Sequence, residues 1–389
     1  MINFQNLKQR VKIITAFDSF KGTISAKYAG ELFETAVKKY GLNADIINIP
    51  LADGGEGTIE VLKDSLKGDL IKIPVMNPLL QKITAQYLTW NNCALIEMAQ
   101  ASGLTLVKQD HRDPKVATSY GTGELIKDAV INRGIRNIFI TLGGSATNDC
   151  GIGVLDALGV IFKDCDGSII SNPVEEMLSI TEIDFSNMSK ELYDTKFTLL
   201  TDVDNPLLGL NGATYTFAQQ KGATTEMLPF LETRIAKFAT LLNSYTKSNF
   251  INAQGAGAAG GVGFALMSVL GAKQQLGINS IMKMLNFTSY LDDAYLVVTG
   301  EGCLDGQSVR GKVVSGVAQV AKSHNVPCAV IAGCICDGFE VLYQQGLTTA
   351  VSLTTNFESK EIIFAKVDSL FLSAAHRLLA AIGIGISSK

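Results

Sequence analysis

Apolar positions along the chain follow two rhythms. Val11-Lys-Ile-Ile-Thr-Ala-Phe17 is a short, nearly continuous apolar run and reads as a buried strand. Beyond the loop 18–22, Ala29, Leu32, Phe33, Ala36, Val37 and Tyr40 recur at three- and four-residue spacing. That period predicts a helix that begins near Ser25, a good N-cap, and stops at Gly41. A second strand over 45–49, a glycine loop over 50–58 and a helix over 59–66 repeat the unit. Alternation of strand, loop and helix predicts a parallel sheet covered by helices.

From residue 70 the pattern changes. Short apolar runs at 71–75, 84–90 and 94–98 are separated by turn residues, among them Asn77-Pro78 and Asn91-Asn92. This spacing predicts an antiparallel meander and the start of a second domain. A helix is expected over 122–133, with Thr122 as N-cap and Gly134 as stop, then a strand from Asn137 to Thr141 and a helix over 154–158. A strand over 197–201, a helix over 228–242 and a glycine stretch over 255–263 leading into a helix follow. The parallel-strand style returns at 294–299, with a helix over 313–323, strands over 327–332 and 350–353, and a last helix over 361–381. The two ends of the chain therefore look alike and the middle differs. The expected fold class is α/β with two domains: residues 1–70 plus 290–389, built from both ends around a parallel sheet, and an inserted mixed α/β domain over 71–289.

Composition narrows the functional classes. A chain of 389 residues is too long for one comfortable core. Its 47% hydrophobic and 18% charged content suits a soluble globular protein. The net charge is −4 and no long basic block appears, which argues against nucleic acid as a partner. Seven irregularly spaced cysteines do not resemble a secreted disulfide framework. With three histidines and a single close pair, Cys334-x-Cys336, the thiols read as buried and reduced rather than as a zinc site. The apolar start carries Lys12 and lacks a small-residue cleavage site, and the uncharged stretch 255–272 is glycine- and alanine-rich, so a cytoplasmic protein with no membrane span is expected.

Chemistry concentrates in five loops at strand ends: 18–22, 52–58, 143–153, 202–206 and 300–308. They carry glycine, small hydroxyls and the acids Asp18, Asp53, Glu56, Asp149, Asp202, Asp204, Glu301 and Asp305, with few bases, chiefly Lys21 and Lys312. In open α/β sheets ligands bind beyond the carboxyl ends of strands. Carboxylates that can hold Mg²⁺, backbone N–H groups and lysines that can hold phosphates, and an acid that can accept a hydroxyl proton together fit Mg-nucleotide chemistry. Two literal pattern matches are discounted. Gly255-x-Gly257-x-x-Gly260 follows no clear strand and has no ribose-binding acid about twenty residues on. Gly306 to Lys312 resembles a phosphate-binding loop, but Val313 replaces the Ser/Thr that would meet Mg²⁺.

Nine stretches occur together and in order: DSFKGT (18–23), LADGGEGT (51–58), IEMAQASGL (96–104), TSYGTGELI (118–126), GGSATND (143–149), DVDNPLLG (202–209), QKGAT (220–224), GAGAAGGVG (255–263) and TGEGCLDGQS (299–308). They cover almost the whole chain, which on them resembles the bacterial type-1 glycerate kinases. The resemblance implies ATP-dependent phosphorylation of D-glycerate, commonly to 2-phosphoglycerate. It also implies a flavodoxin-like domain formed by both chain ends and an active site in the cleft between two domains. By position it places Asp18, Ser19, Lys21, Asp53, Glu56, Asp202, Asp204, Glu301 and Asp305 in the family's motifs.

Our reading of roles makes Asp202, at a strand end, the base and Lys21 the neutraliser of the transferring phosphoryl group or of the glycerate carboxylate, with Asp18 as a third catalytic candidate. Glu301 and Asp305 suit Mg²⁺. Gly143, Gly144, Ser145, Gly255, Gly257, Gly260 and Lys312 would receive phosphate or substrate carboxylate oxygens. ATP and D-glycerate are the expected partners, with a monomer or homodimer as the assembly. Cys303 departs from the basic residue common at its position, and Cys150 from a glycine. Loss of a guanidinium there motivates an alternative: a catalytically weakened homologue that binds glycerate or nucleotide as a sensor.

Overall fold

The computed structural model describes residues 10–387 apart from 21, 56, 307, 309, 310 and 355–358. Lys21 and Glu56 therefore lie outside the described residues. The chain divides into two compact units. One holds the residues up to Asp53, 60–66 and everything from Gly277 on; the other holds 54–59 and 67–276.

The first unit is built on a five-stranded, all-parallel sheet. Its strands are Val11–Phe17, Ala44–Asn48, Ala294–Gly300, Cys328–Ala332 and Leu347–Ser352. Numbered by their order within this unit, they lie side by side as 2-1-3-4-5. That is the flavodoxin-like order, with its topological switch point between the first and third strands. The helix Ala26–Tyr40 forms as its period predicts. Ser25 accepts a hydrogen bond from the Tyr28 N–H at the N-cap, and Gly41 ends the helix at φ 70°, where a Cβ would be strained. Its buried face packs on the sheet around Phe17, which contacts Phe20, Phe33 and Phe371 with ring centroids 6.3, 6.5 and 5.5 Å away. The expected single terminal helix is instead two, Lys360–Ala365 and Val367–Ser387, broken at Lys366.

The second unit carries a six-stranded mixed sheet. Lys273–Gln275, Lys196–Leu200, Asn137–Thr141 and Cys93–Glu97 run parallel, and Lys82–Trp90 and Asp69–Met76 continue antiparallel from them. The expected meander is the antiparallel half. The helix expected to start at Thr122 begins two residues earlier, at Tyr120, with Ser119 in the cap position. Thr122 is instead buried, its hydroxyl 2.7 Å from that of Ser102. Among the described residues no helix is long and apolar enough to cross a membrane, and the uncharged stretch 255–272 is a glycine turn followed by the buried helix Val262–Leu270. That turn is not preceded by a strand, so the dinucleotide-fingerprint pattern at 255–260 lacks its structural context.

Candidate active site

In the first unit four parallel strands release their chains at the same edge of the sheet. Phe17 gives way to Asp18 and Gly300 to Glu301 at the switch point itself, while Ala332 leads to Gly333 and Ser352 to Leu353. These residues line a cavity of about 560 Å³. Asp18, Asp53, Glu301 and Asp305 supply four carboxylates to its wall, and Lys312 is the basic residue among the described lining side chains. Asp18 and Glu301 are buried, at 8% and 7% exposure. Asp18 is oriented by the N–H of Ser19, which donates to its Oδ1 at 2.7 Å. Lys312 Nζ lies 3.7 Å from Glu301 Oε2. Asp305 accepts at Oδ1 from the Ser308 N–H at 3.1 Å, and its own N–H donates to Ser308 Oγ at 3.2 Å, so the loop after Leu304 closes on itself.

Four carboxylates against one described amine make a strongly negative, partly desolvated wall. Hard oxygen donors in excess at a switch point fit a divalent cation of the Mg²⁺ type, which takes one or two carboxylates and completes its shell with water and substrate phosphate.

The second unit builds a different structure from the glycine loop 143–153. Asp149, fully buried, accepts four hydrogen bonds: from the Ser119 N–H and hydroxyl at 2.8 and 2.7 Å, and from the Gly151 and Gly153 N–H groups at 3.1 and 3.2 Å. Burial pushes its carboxyl above the usual carboxylate range and those donors oppose the shift. Asp149 is thus a strut that folds the loop. Across from it, Lys221 is buried with Nζ 3.0 Å from Ser145 Oγ and 2.7 Å from the Thr147 carbonyl. Burial pulls its ammonium down to about 8, against the attraction of Asp149.

The two glycine-rich loops fit together by backbone contact. The Cys150 N–H donates to the Gly260 carbonyl at 2.9 Å. A Cβ on Gly260 would lie 2.1 Å from the Thr147 carbonyl, and one on Gly257 would lie 2.3 Å from the Pro206 carbonyl. Gly255, at φ +72°, packs against Gln274. Asn148 is buried in this junction, and neither polar atom of its side chain has a hydrogen-bond partner among the described residues. A buried amide in that condition calls for a partner from outside the chain, a water or a ligand atom.

The residues singled out in the sequence therefore fall into two groups. Asp18, Ser19, Asp53, Glu301, Asp305 and Lys312 converge on the cavity of the first unit. Gly143, Gly144, Ser145, Asp202, Asp204, Gly255, Gly257 and Gly260 belong to the second unit, in loops near the carboxyl ends of Asn137–Thr141 and Lys196–Leu200. Asp202 and Asp204 are exposed there. Sequence reasoning passed over Lys221 and Asn148, although both lie in the quoted stretches QKGAT and GGSATND. A lysine before a glycine reads as a solvated turn residue, and only its burial distinguishes it. The thiols also differ from expectation: all seven are free, but Cys150 and Cys328 alone among them are buried, whereas Cys165 and Cys336 are exposed.

A family model described as the glycerate kinase family matches residues 13–383. The chain is 40% identical over 374 residues to a glycerate kinase of Bacillus subtilis (strain 168), covering 96% of this chain and 98% of that one. It is 38% identical over 381 residues to a glycerate 2-kinase of Escherichia coli (strain K12), covering 97% and 99%. A crystal structure assigned to glycerate kinase 2 from Salmonella typhimurium LT2 superposes with a TM-score of 0.86 at 36% identity, covering 97% of this chain and 100% of that one.

Proposed function

This chain belongs to the glycerate kinase family, and from that premise we propose that it transfers the γ-phosphoryl group of MgATP to the 2-hydroxyl of D-glycerate. The observation that carries the reading is the wall of Asp18, Asp53, Glu301 and Asp305 with Lys312 at the switch point of a flavodoxin-like sheet. The choice of the 2-hydroxyl is supported by the name of the Escherichia coli relative.

In this reading Glu301 and Asp305 hold Mg²⁺, which when bound offsets charge on the transferring phosphate. Lys312 and Lys21 neutralise phosphoryl oxygens and Glu56 takes part in binding the substrate, Lys21 and Glu56 lying outside the described residues. Asp18, held by the Ser19 N–H, and Asp53 orient the reacting groups. Asp202 accepts the proton of the substrate hydroxyl, with Asp204 beside it. Ser145, Gly143, Gly144 and the turn of Gly255, Gly257 and Gly260 receive carboxylate or phosphate oxygens. Lys221 gives that loop a positive charge, and Asn148 gives it a donor and an acceptor that no described residue meets. Catalysis of this kind rests on positioning and charge stabilisation rather than covalent chemistry. The cleft location implied by the resemblance, a cytoplasmic setting and a monomer or homodimer belong to the same proposal.

The test is ADP release from MgATP with D-glycerate, L-glycerate, glycerol and tartronate offered separately. The reading expects release with D-glycerate and little with the others. Release with glycerol at an equal rate would remove the substrate carboxylate from the account. Folded protein that binds ATP and turns over none of the four would favour the sensor alternative.

A further inference from the structure

We propose that Cys303, Cys334 and Cys336 form a three-thiolate site for one zinc ion at the rim of the carboxylate cavity. The backbone builds it. Cys303–Leu304 and Cys334–Ile335 form a two-stranded parallel ladder, in which Cys303 stands opposite Cys334. The ladder is held by the Gly333 N–H to the Glu301 carbonyl at 3.0 Å, the Cys334 N–H to the Gly302 carbonyl at 3.1 Å and the Cys336 N–H to the Leu304 carbonyl at 2.8 Å. Gly333 makes the approach possible, because a Cβ there would lie 2.2 Å from the Gly302 carbonyl. Side chains alternate along extended chain. Leu304 and Ile335 turn into the apolar cluster with Val314, Val330 and Leu342, so the thiols of 303, 334 and 336 emerge together on the other face.

The sulfur atoms all lie within 4.8 Å of one another, and Cys303 Sγ is 3.7 Å from Cys336 Sγ. Zinc bonds thiolate at about 2.3 Å, which sets a tetrahedral edge of about 3.8 Å. One edge is already at that length, and the others close with movements of no more than about 1 Å. Three soft donors with no oxygen among them select a thiophilic d¹⁰ cation over Mg²⁺ or Ca²⁺. Cys336 is exposed and gives the ion its way in. Three thiolates with Zn²⁺ carry a net charge of −1 and leave a fourth position for water. Cys303 and Cys334 line the same cavity as Glu301, Asp305 and Lys312. An occupied site would alter that wall and slow phosphoryl transfer, a consequence that rests on the kinase reading, whereas the site itself does not.

The experiment uses the full chain, stripped of metal and kept reduced by a phosphine, with all thiols counted before titration. Zn²⁺ is titrated against a chromogenic chelator, and Co²⁺ is followed by absorption. We expect one equivalent of tightly bound Zn²⁺. With Co²⁺ we expect a thiolate-to-metal charge-transfer band in the near ultraviolet and the intense visible bands of tetrahedral coordination. Cys336→Ser and Cys303→Ser should each weaken binding by more than about 100-fold, beyond what loss of an outer-shell partner costs. Cys165→Ser, at an exposed thiol elsewhere, should leave binding unchanged. Absence of stoichiometric binding, a weak octahedral cobalt spectrum, or equal affinity in the wild type and both site variants would overturn the proposal. Turnover is read separately on the zinc-free protein supplied with Mg²⁺, so zinc binding by a chain whose zinc-free form has no kinase activity would contradict the kinase reading and leave the site standing.

Discussion

Lys221 offers the sharpest quantitative handle on the second unit. Its ammonium is fully enclosed beside Ser145 Oγ and the Thr147 carbonyl, and burial lowers it from 10.5 to about 8. Below about pH 8 the folded and unfolded chains both hold the proton. Between about pH 8 and 10.5 the folded chain has released it and the unfolded chain has not. The unfolded state then binds more protons, so stability rises with pH in this window. A gap of about 2.5 pH units at about 1.4 kcal/mol per unit amounts to roughly 3 kcal/mol. Lys221→Met removes the titration and keeps most of the stem. Guanidinium unfolding of both proteins, followed by circular dichroism at pH 7, 8, 9 and 10, isolates the effect as the wild-type-minus-variant difference, which cancels the other titrating groups. The difference should be flat up to about pH 8 and then move in favour of the wild type by roughly 1 kcal/mol per unit. With two units the comparison belongs to the transition that unfolds the second one. A difference that stays level from pH 7 to 10 would refute the enclosed, desolvated ammonium.

Further outcomes follow from single contacts. Gly260→Ala puts a Cβ 2.1 Å from the Thr147 carbonyl at a φ of +69°, and should cost on the order of 3 kcal/mol in denaturant unfolding; a cost under about 0.5 kcal/mol would mean that the two glycine loops do not meet as described. Asp18→Asn keeps an acceptor for the Ser19 N–H and removes the charge. It should remain folded, judged by an unchanged circular dichroism spectrum, while kcat falls roughly 100-fold or more; wild-type kcat in that variant would remove Asp18 from the reaction.

The elements that could be read from the sequence are those fixed by local rules. Val11–Phe17 and Asn137–Thr141 end where their apolar runs end, and Ala26–Tyr40 sits between a serine cap and a glycine stop, because burial period and capping act within a few residues. What escaped depends on distant partners. Thr122 looks like an N-cap in sequence, but Ser119 takes that place through its backbone carbonyl, which accepts from the Thr122 N–H, while its hydroxyl bonds Asp149, thirty residues on. Asp149 looks like one more loop acid, and four donors make it a buried strut. The terminal helix carries one continuous apolar stripe, yet it breaks at Lys366. Cys303 and the Cys334-x-Cys336 pair are about thirty residues apart, and only the register of a two-residue ladder brings them to one face. The cavity was legible as a set of strand-end acids because parallel sheets place their loops at one edge. Which of those acids share a wall depended on the strand order.

The most direct test of the central claim is the identity of the product. D-glycerate and MgATP are incubated with the enzyme, and the product is examined by phosphorus-coupled proton NMR. The account predicts stoichiometric conversion of ATP to ADP and a phosphorus coupling on the proton at carbon 2, marking 2-phosphoglycerate. Coupling to the carbon 3 protons would contradict the assigned hydroxyl, and ADP formed with inorganic phosphate but no phosphoglycerate would contradict phosphoryl transfer to glycerate itself.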